Sequence, residues 1–91
     1  MQALYDCMNN KQMAVLVAVF TEPTSGTLAW ASIEGLLVAV GCKVIEGKGS
    51  RVRFAKDGRV ALFHRPHPEK EAKKYQVEAA REYLIKLGVQ P

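Results

Sequence analysis

Cysteine and histidine are scarce in this 91-residue chain, with two of each, and aromatic residues make up only 8% of it. Cys7 and Cys42 lie far apart and form no C-x-x-C pair, and neither a zinc-ribbon spacing nor an H-E-x-x-H motif occurs. These absences exclude the common zinc motifs and redox pairs. We therefore expect no metal site, no cofactor and two reduced cysteines, with Cys42 in the core and Cys7 in the N-terminal segment.

Long hydrophobic runs are also missing. The longest, residues 13–20, is too short to cross a bilayer, and no small-residue cleavage site follows it as in a signal peptide. We expect a cytoplasmic protein that does not contact membranes. The hydrophobic fraction of 48% suits one small core, so we predict a single domain over residues 11–91 after an N-terminal segment, 1–10, without a strong pattern.

The positive charge is concentrated in one part of the chain. The formal net charge is +4, but residues 43–65 hold seven basic residues against Glu46 and Asp57, so the rest of the chain is slightly acidic. A local excess of this kind favours a polyanion or an acidic protein surface as partner. The alternative is a hairpin whose charges are simply solvated.

Three segments have helical periodicity and three have the character of strands. The helices are predicted at 11–20, 28–40 and 73–87, and the strands at 42–46, 51–56 and 59–65. Gly41 and Gly88 follow the second and third helices, where glycine commonly ends a helix. The order α-α-β-β-β-α predicts an α+β fold, with a three-stranded antiparallel sheet and all helices on one of its faces.

The dipeptide Asp57-Gly58 is a strong signal for a two-residue hairpin turn, and such a turn fixes the pairing of its strands. The predicted pairs are Lys56 with Arg59, Ala55 with Val60, Phe54 with Ala61, Arg53 with Leu62, Val52 with Phe63 and Arg51 with His64. Directly paired residues share a face. One face is therefore expected to hold Val52, Phe54, Ala61 and Phe63 in the core, and the other to expose Arg51, Arg53, Leu62 and His64.

The apolar residues of the helices complete the predicted core. Spacing predicts buried faces of Met13, Leu16, Val17 and Phe20 in the first helix, of Trp30, Ile33, Leu37 and Val40 in the second, and of Val77, Ala80, Leu84 and Leu87 in the third. We expect Trp30, Leu37, Phe54, Phe63 and Leu84 to be buried together.

The two histidines, His64 and His67, lie three residues apart in the sequence HRPHP. The predicted register sets His64 opposite Arg51, and Pro66 turns the chain so that His67 can return toward the same edge. A histidine can exchange a proton near neutral pH, and an arginine beside it can hold a phosphate. This combination suits cleavage of RNA, with histidine acting on the 2′-hydroxyl. A histidine beside proline is also often a cap or a hydrogen-bonded surface residue.

The link GKGS, residues 47–50, is consistent with two structures, a phosphate-binding loop and an ordinary turn. Its glycines can offer backbone N–H groups to a phosphate, and Lys48 adds a charge. The spacing is not that of a P-loop, and an ordinary turn explains it equally well.

Three stretches together carry a resemblance to a known family. They are the pattern W..IE.LL..G (residues 30–41), the run EGKGSRVRF with FHRPHP, and R.YL...GV near the end of the chain. Over roughly residues 11–90 the chain resembles the HicA toxins, the small basic partners in HicA–HicB toxin–antitoxin modules. The resemblance implies a fold like that of double-stranded-RNA-binding domains, ribosome-independent cleavage of mRNA, and a HicB antitoxin that blocks the active site.

The family's catalytic motif is altered in this chain. Typical members read G-x-G-S-H with a catalytic histidine last, but here Arg51 follows Ser50. A second family pattern, a proline-containing turn that ends in histidine before acidic residues, matches His67. We therefore predict that His64 takes over catalysis from the paired strand, with Arg51 and His67 as the other catalytic residues. The predicted RNA-binding residues are Lys48, Ser50, Arg51, Arg53 and Arg65.

Two other functions remain open at this point. The domain could bind RNA without cleaving it, or its basic face could dock an acidic partner protein. The nuclease hypothesis requires His64 or His67, whereas the other two need only the positive charge.

Overall fold

The computed structural model describes residues 8–91, which form three helices and three strands. These are α1 (Asn10–Phe20), α2 (Trp30–Ala39), β1 (Lys43–Glu46), β2 (Arg51–Lys56), β3 (Arg59–His64) and α3 (Lys74–Lys86). The order α-α-β-β-β-α confirms the predicted α+β fold class. Cys7 lies outside the described residues, as does most of the predicted segment 1–10. Within 8–91, no helix is long and apolar enough to span a membrane.

Local sequence signals begin and end the helices. Asn9 caps α1, since its side chain accepts the Gln12 N–H at 2.8 Å while the Gln12 side chain accepts the Asn9 N–H at 3.0 Å. Gly41 and Gly88 follow α2 and α3 with φ angles of 106° and 81°, a region that suits glycine. After Gly88, the N–H of Val89 donates to Leu84 at 2.9 Å, which satisfies a carbonyl of the last helical turn.

The sheet is antiparallel with the order β1-β2-β3, and its hairpin has the predicted register. Asp57 and Gly58 both have positive φ, 54° and 76°, as a two-residue turn with matching strand twist requires. Arg51 pairs with His64, Arg53 with Leu62, and the remaining pairs follow as predicted. The turn therefore decides which side chains point toward the helices.

An aromatic cluster forms the centre of the core. The ring of Trp30 lies 5.1 Å from that of Phe63 and 6.3 Å from that of Phe54, measured between centroids. Leu37 and Leu84 are fully buried around this cluster, so all five predicted core residues are confirmed. The sheet is thus covered by helices on the face that carries Phe54 and Phe63.

The predicted buried face of α1 is wrong in one position. Val17 is 53% exposed, whereas Val19 is completely buried together with Leu16. Because residues 13–20 are all apolar, helical spacing alone allows more than one stripe. The packing of α1 against α2 and α3 selects the stripe through Leu16 and Val19.

Cys42 lies in the core as predicted and touches the buried end of Tyr83. The Tyr83 hydroxyl lies within hydrogen-bond distance of two carbonyls, those of Arg59 at 2.9 Å and Phe54 at 3.1 Å. Burial raises the pKa of Tyr83 to about 12 and also raises the pKa of the Cys42 thiol. Both groups are therefore neutral at physiological pH and act in packing.

Candidate active site

The uncovered face of the sheet is basic and partly apolar. We call it the open face, and it consists of Lys43, Ile45, Arg51, Arg53, Ala55, Val60, Leu62 and His64. Val60 and Leu62 are 59% and 58% exposed, and both arginines and His64 are also exposed. None of these eight residues is acidic. The face therefore offers cations and apolar surface together, without a carboxylate to repel an anion.

His64 lies at the end of this face, opposite Arg51. The two residues are direct partners in the β2–β3 ladder. The hydroxyl oxygen Oγ of Ser50 lies 3.5 Å from Nδ1 of His64, at the outer limit of a hydrogen bond. With Nδ1 turned to Ser50, the other ring nitrogen, Nε2, is the one left for a substrate. A proton-exchanging group and a fixed cation are thus adjacent.

The link GKGS forms a tight turn beside this pair. The N–H of Gly47 donates to the Arg51 carbonyl at 2.9 Å, and the Arg51 N–H donates to the Lys48 carbonyl at 3.1 Å. A Cβ on Gly47 would lie 3.1 Å from Cβ of Arg51, so the close approach of the turn to β2 favours glycine here. The N–H of Gly47 is therefore engaged within the turn, and Lys48 is the residue that adds charge at this edge.

An open pocket of about 300 Å³ lies where the turn meets the sheet. It is lined by Gly47, Lys48, Arg51, Val52, Arg53 and Leu62. Three cations thus surround a small hollow with an apolar side. Four of the predicted site residues, Lys48, Ser50, Arg51 and Arg53, lie at or beside this hollow, and His64 is the direct strand partner of Arg51.

Arg65 is not part of this group. Side chains alternate along a strand, and Arg65 follows His64, so it shares the helix-covered face with Phe63. Its guanidinium lies between two carboxylates, donating to Glu34 at 2.9 and 3.0 Å and to Glu46 at 2.7 and 2.9 Å. The alternation of β3, extended by one residue, would have predicted this placement.

His67 is exposed in the turn between Pro66 and Pro68. Among residues 8–91, no hydrogen bond or ion pair joins it to His64 or Arg51. The peptide bond from His67 to Pro68 is cis. The structure therefore places His64 beside Arg51 by strand pairing, whereas no such pairing holds His67 there.

Three residues that support this end of the sheet were not predicted from the sequence. Glu34 and Glu46 hold Arg65, and both carboxyl groups have a lowered pKa because Arg65 hydrogen-bonds their charged forms. Gln76 is buried in α3, and its amide donates to the His64 carbonyl at 2.7 Å. Gln76 lies one residue before Val77, next to the buried stripe of α3, and this position could have predicted its burial.

Metal ligands are not grouped in the part of the chain that the structure describes. Over residues 8–91, no three His, Cys, Asp or Glu side chains are arranged so that they could hold an ion. The side chains at and beside the open face carry imidazole, guanidinium, ammonium and hydroxyl groups.

One family model matches the chain, and it describes the HicA toxin of bacterial toxin–antitoxin systems. The match covers residues 30–89, which include α2, all three strands and α3, and so the whole open face. No curated protein and no solved structure matches the chain. The matched region spans about two thirds of the 91 residues and contains both the hairpin and the His64 site. The chain therefore belongs to the HicA family of toxins.

Proposed function

We propose that this toxin is an endoribonuclease that cleaves mRNA, with His64 as its acid–base residue. The observation that carries the proposal is the pairing of His64 with Arg51 on an exposed basic face, beside the Ser50 hydroxyl. In typical members of the family the histidine stands at the position that Arg51 occupies here. The strand pairing puts an imidazole within the same patch, supplied from β3 instead of β2.

The reaction follows from the groups present. Nε2 of His64 takes the proton of a ribose 2′-hydroxyl, and the 2′-oxygen bonds to the adjacent phosphorus. The bond from phosphorus to the 5′-oxygen breaks, and that oxygen takes up the proton that the His64 imidazolium carries. The products carry a 2′,3′-cyclic phosphate and a 5′-hydroxyl. Arg51 donates to the phosphoryl oxygens as negative charge develops on them.

The other site residues bind the RNA backbone or support catalysis. Lys48 and Arg53 line the pocket at the edge of the sheet, and Ser50 lies beside His64; these three would hold the RNA backbone on either side of the reacting phosphate. His67 has a supporting role, because it is exposed and no hydrogen bond or ion pair within residues 8–91 joins it to Arg51. Arg65 is left out of the RNA-binding set, since its donors are directed at Glu34 and Glu46.

The partner of the toxin would cover the same face. A HicB-like antitoxin that docks on the open face would bury the exposed Val60 and Leu62 and hide His64 from RNA. An acidic antitoxin surface would complement the arginines. We place both proteins in the cytoplasm, where mRNA is found, and we propose that cleavage requires no resident metal ion.

The test compares His64→Ala with His67→Ala and the parent protein. His64→Ala should abolish growth arrest and RNA cleavage, since a histidine in acid–base catalysis contributes about 10²–10⁴-fold in rate. It should keep the fold, RNA binding and antitoxin binding, because its side chain is exposed. His67→Ala should have the smaller effect, and EDTA should leave cleavage unchanged.

Arg53→Ala is the matched variant for binding, because it removes a charge from the same face without touching His64. It should weaken RNA binding and lower the slope of log affinity against log salt by about 0.7.

Four results separate the alternatives. A His64→Ala protein that still cuts RNA would falsify the assignment of His64. Loss of activity in His67→Ala alone would move the role to the second family motif. If the parent binds RNA but never cuts it, the substitution of the family histidine by Arg51 has left an RNA-binding domain. If the parent binds only an acidic antitoxin and no RNA, the chain is a protein-docking module.

A further inference from the structure

The most heavily bonded charged group near the candidate site is Arg65, which lies outside the substrate surface. Its guanidinium makes four hydrogen bonds to Glu34 and Glu46, between 2.7 and 3.0 Å. The Glu34 carboxylate is partly buried and also accepts the indole N–H of Trp30 at 2.8 Å. Paired, charge-assisted bonds of this kind fix geometry as well as adding energy.

This network is tied to the backbone of the site. The main-chain N–H of Arg65 donates to the Ser50 carbonyl at 2.9 Å, which extends the β2–β3 pairing by one residue. From the other side, Gln76 of α3 donates to the His64 carbonyl at 2.7 Å. The end of β3 is therefore held by α2 through Glu34, by β1 through Glu46 and by α3 through Gln76.

His64 itself depends on this support. β3 is an edge strand, and the next residue after Arg65 is a proline, which has no N–H to continue the ladder. The only hydrogen bond of the His64 side chain within residues 8–91 is the 3.5 Å approach to Ser50. Its aim is thus decided mainly by where its backbone is held.

We propose that Glu34 and Arg65 are positioning residues that aim the His64 imidazole at the phosphate held by Arg51. This inference rests on the proposed function of His64. It assigns to Arg65 a role different from phosphate binding. The two roles make opposite predictions for kcat, for RNA affinity and for replacement by lysine.

The variants are Arg65→Gln, Arg65→Lys and Glu34→Gln, with Arg81→Gln as the matched control. Arg81 is also a partly buried arginine held by several acceptors, since it donates to the Val19 carbonyl, to Glu22 and to Thr24. Within residues 8–91, none of these partners forms a hydrogen bond or ion pair with Ser50, Arg51 or His64. Thermal unfolding followed by Trp30 fluorescence sets a temperature at which all variants are folded.

Arg65→Gln and Glu34→Gln should lower kcat by about 10–100-fold, because a misplacement of roughly 1 Å is enough for such a loss. RNA affinity and its salt dependence should stay at the parent level, and Arg81→Gln should keep the parent kcat. Arg65→Lys should stay defective, since an ammonium cannot bridge two carboxylates in parallel.

A second readout needs no cleavage. In the RNA-free protein, the nuclear Overhauser contact between Ser50 and the His64 ring should weaken in Glu34→Gln and persist in Arg81→Gln. Glu34 is distant from His64 in sequence, so a change there reports on the network and not on a chain neighbour.

The opposite results overturn the proposal. If Arg65→Gln keeps kcat but lowers RNA affinity and reduces the salt slope by about 0.7, Arg65 is a phosphate contact. If Arg65→Lys restores full activity, charge alone is sufficient. If the parent cuts no RNA, the proposed function fails, and the Ser50–His64 contact in Glu34→Gln then decides the positioning role by itself.

Discussion

Replacement of Phe63 by alanine tests both the core and the register that builds the candidate site. Phe63 is 4% exposed, and its ring contacts Trp30 and Phe54 at centroid distances of 5.1 and 5.8 Å. Removing a buried phenylalanine ring costs about 3–5 kcal/mol, and the two aromatic contacts favour the upper half of that range. A domain of this size has a total stability of about 5–15 kcal/mol. The substitution should therefore remove about a quarter or more of that stability.

Urea unfolding followed by the fluorescence of Trp30, the only tryptophan, gives the measurement directly. With a urea dependence of about 1–1.5 kcal/mol per M, the midpoint of Phe63→Ala should fall by about 2–5 M. If that variant is unfolded without urea, Phe63→Leu provides the measurable step, with an expected cost of about 1 kcal/mol.

Leu62→Ala is the matched control, because Leu62 is the preceding residue of the same strand and is 58% exposed. Its effect should lie within about 0.5 kcal/mol of zero. A larger loss for Leu62→Ala than for Phe63→Ala would refute the register. The pairing of Arg51 with His64, and with it the proposed site, would then be lost.

Two further predictions concern pH. Arg65 holds the pKa of Glu34 below its ordinary value of 4.5, so the ion pair contributes its full stability above that pH and loses it as the pH falls through the lower folded-state value. Urea titrations between pH 7 and pH 3 should show that the free energy of unfolding of the parent falls with acid, and that it falls less in Glu34→Gln. An equal fall in the two proteins would contradict this. Burial raises the pKa of Tyr83 from 10 to about 12, so the unfolded chain loses that proton first, and stability should fall as the pH rises between these values. Tyr83→Phe should flatten this alkaline decline, and an unchanged decline would show that other groups cause it.

Local rules were enough to predict the hairpin and most of the open face. Asp57 and Gly58 adopt positive φ because a two-residue turn demands it, and the strict alternation of side chains then sorts Arg51, Arg53 and His64 from the core residues. The ends of α2 and α3 at Gly41 and Gly88 are also predicted from local sequence alone. In each of these cases, the residues that decide the structure are close neighbours in sequence.

The exposed face of α1 and the role of Arg65 required the tertiary structure. Residues 13–20 are uniformly apolar, so only packing against α2 and α3 could place Val19 inside and Val17 outside. Arg65 has the same chemistry as Arg51 and Arg53, and sequence analysis grouped the three.

The sequence by itself thus determined the order of elements, the register of the hairpin and the pairing of His64 with Arg51, because turn geometry and strand alternation act over a few residues. Strand alternation, extended to Arg65, places that arginine on the helix side of the sheet, but only the tertiary structure decided which partners it meets there. Arg65 meets Glu46 and Glu34 across 19 and 31 residues of chain, and Gln76 meets the His64 carbonyl across 12. Contacts at such separations depend on how helices pack on the sheet, and no local pattern encodes that packing.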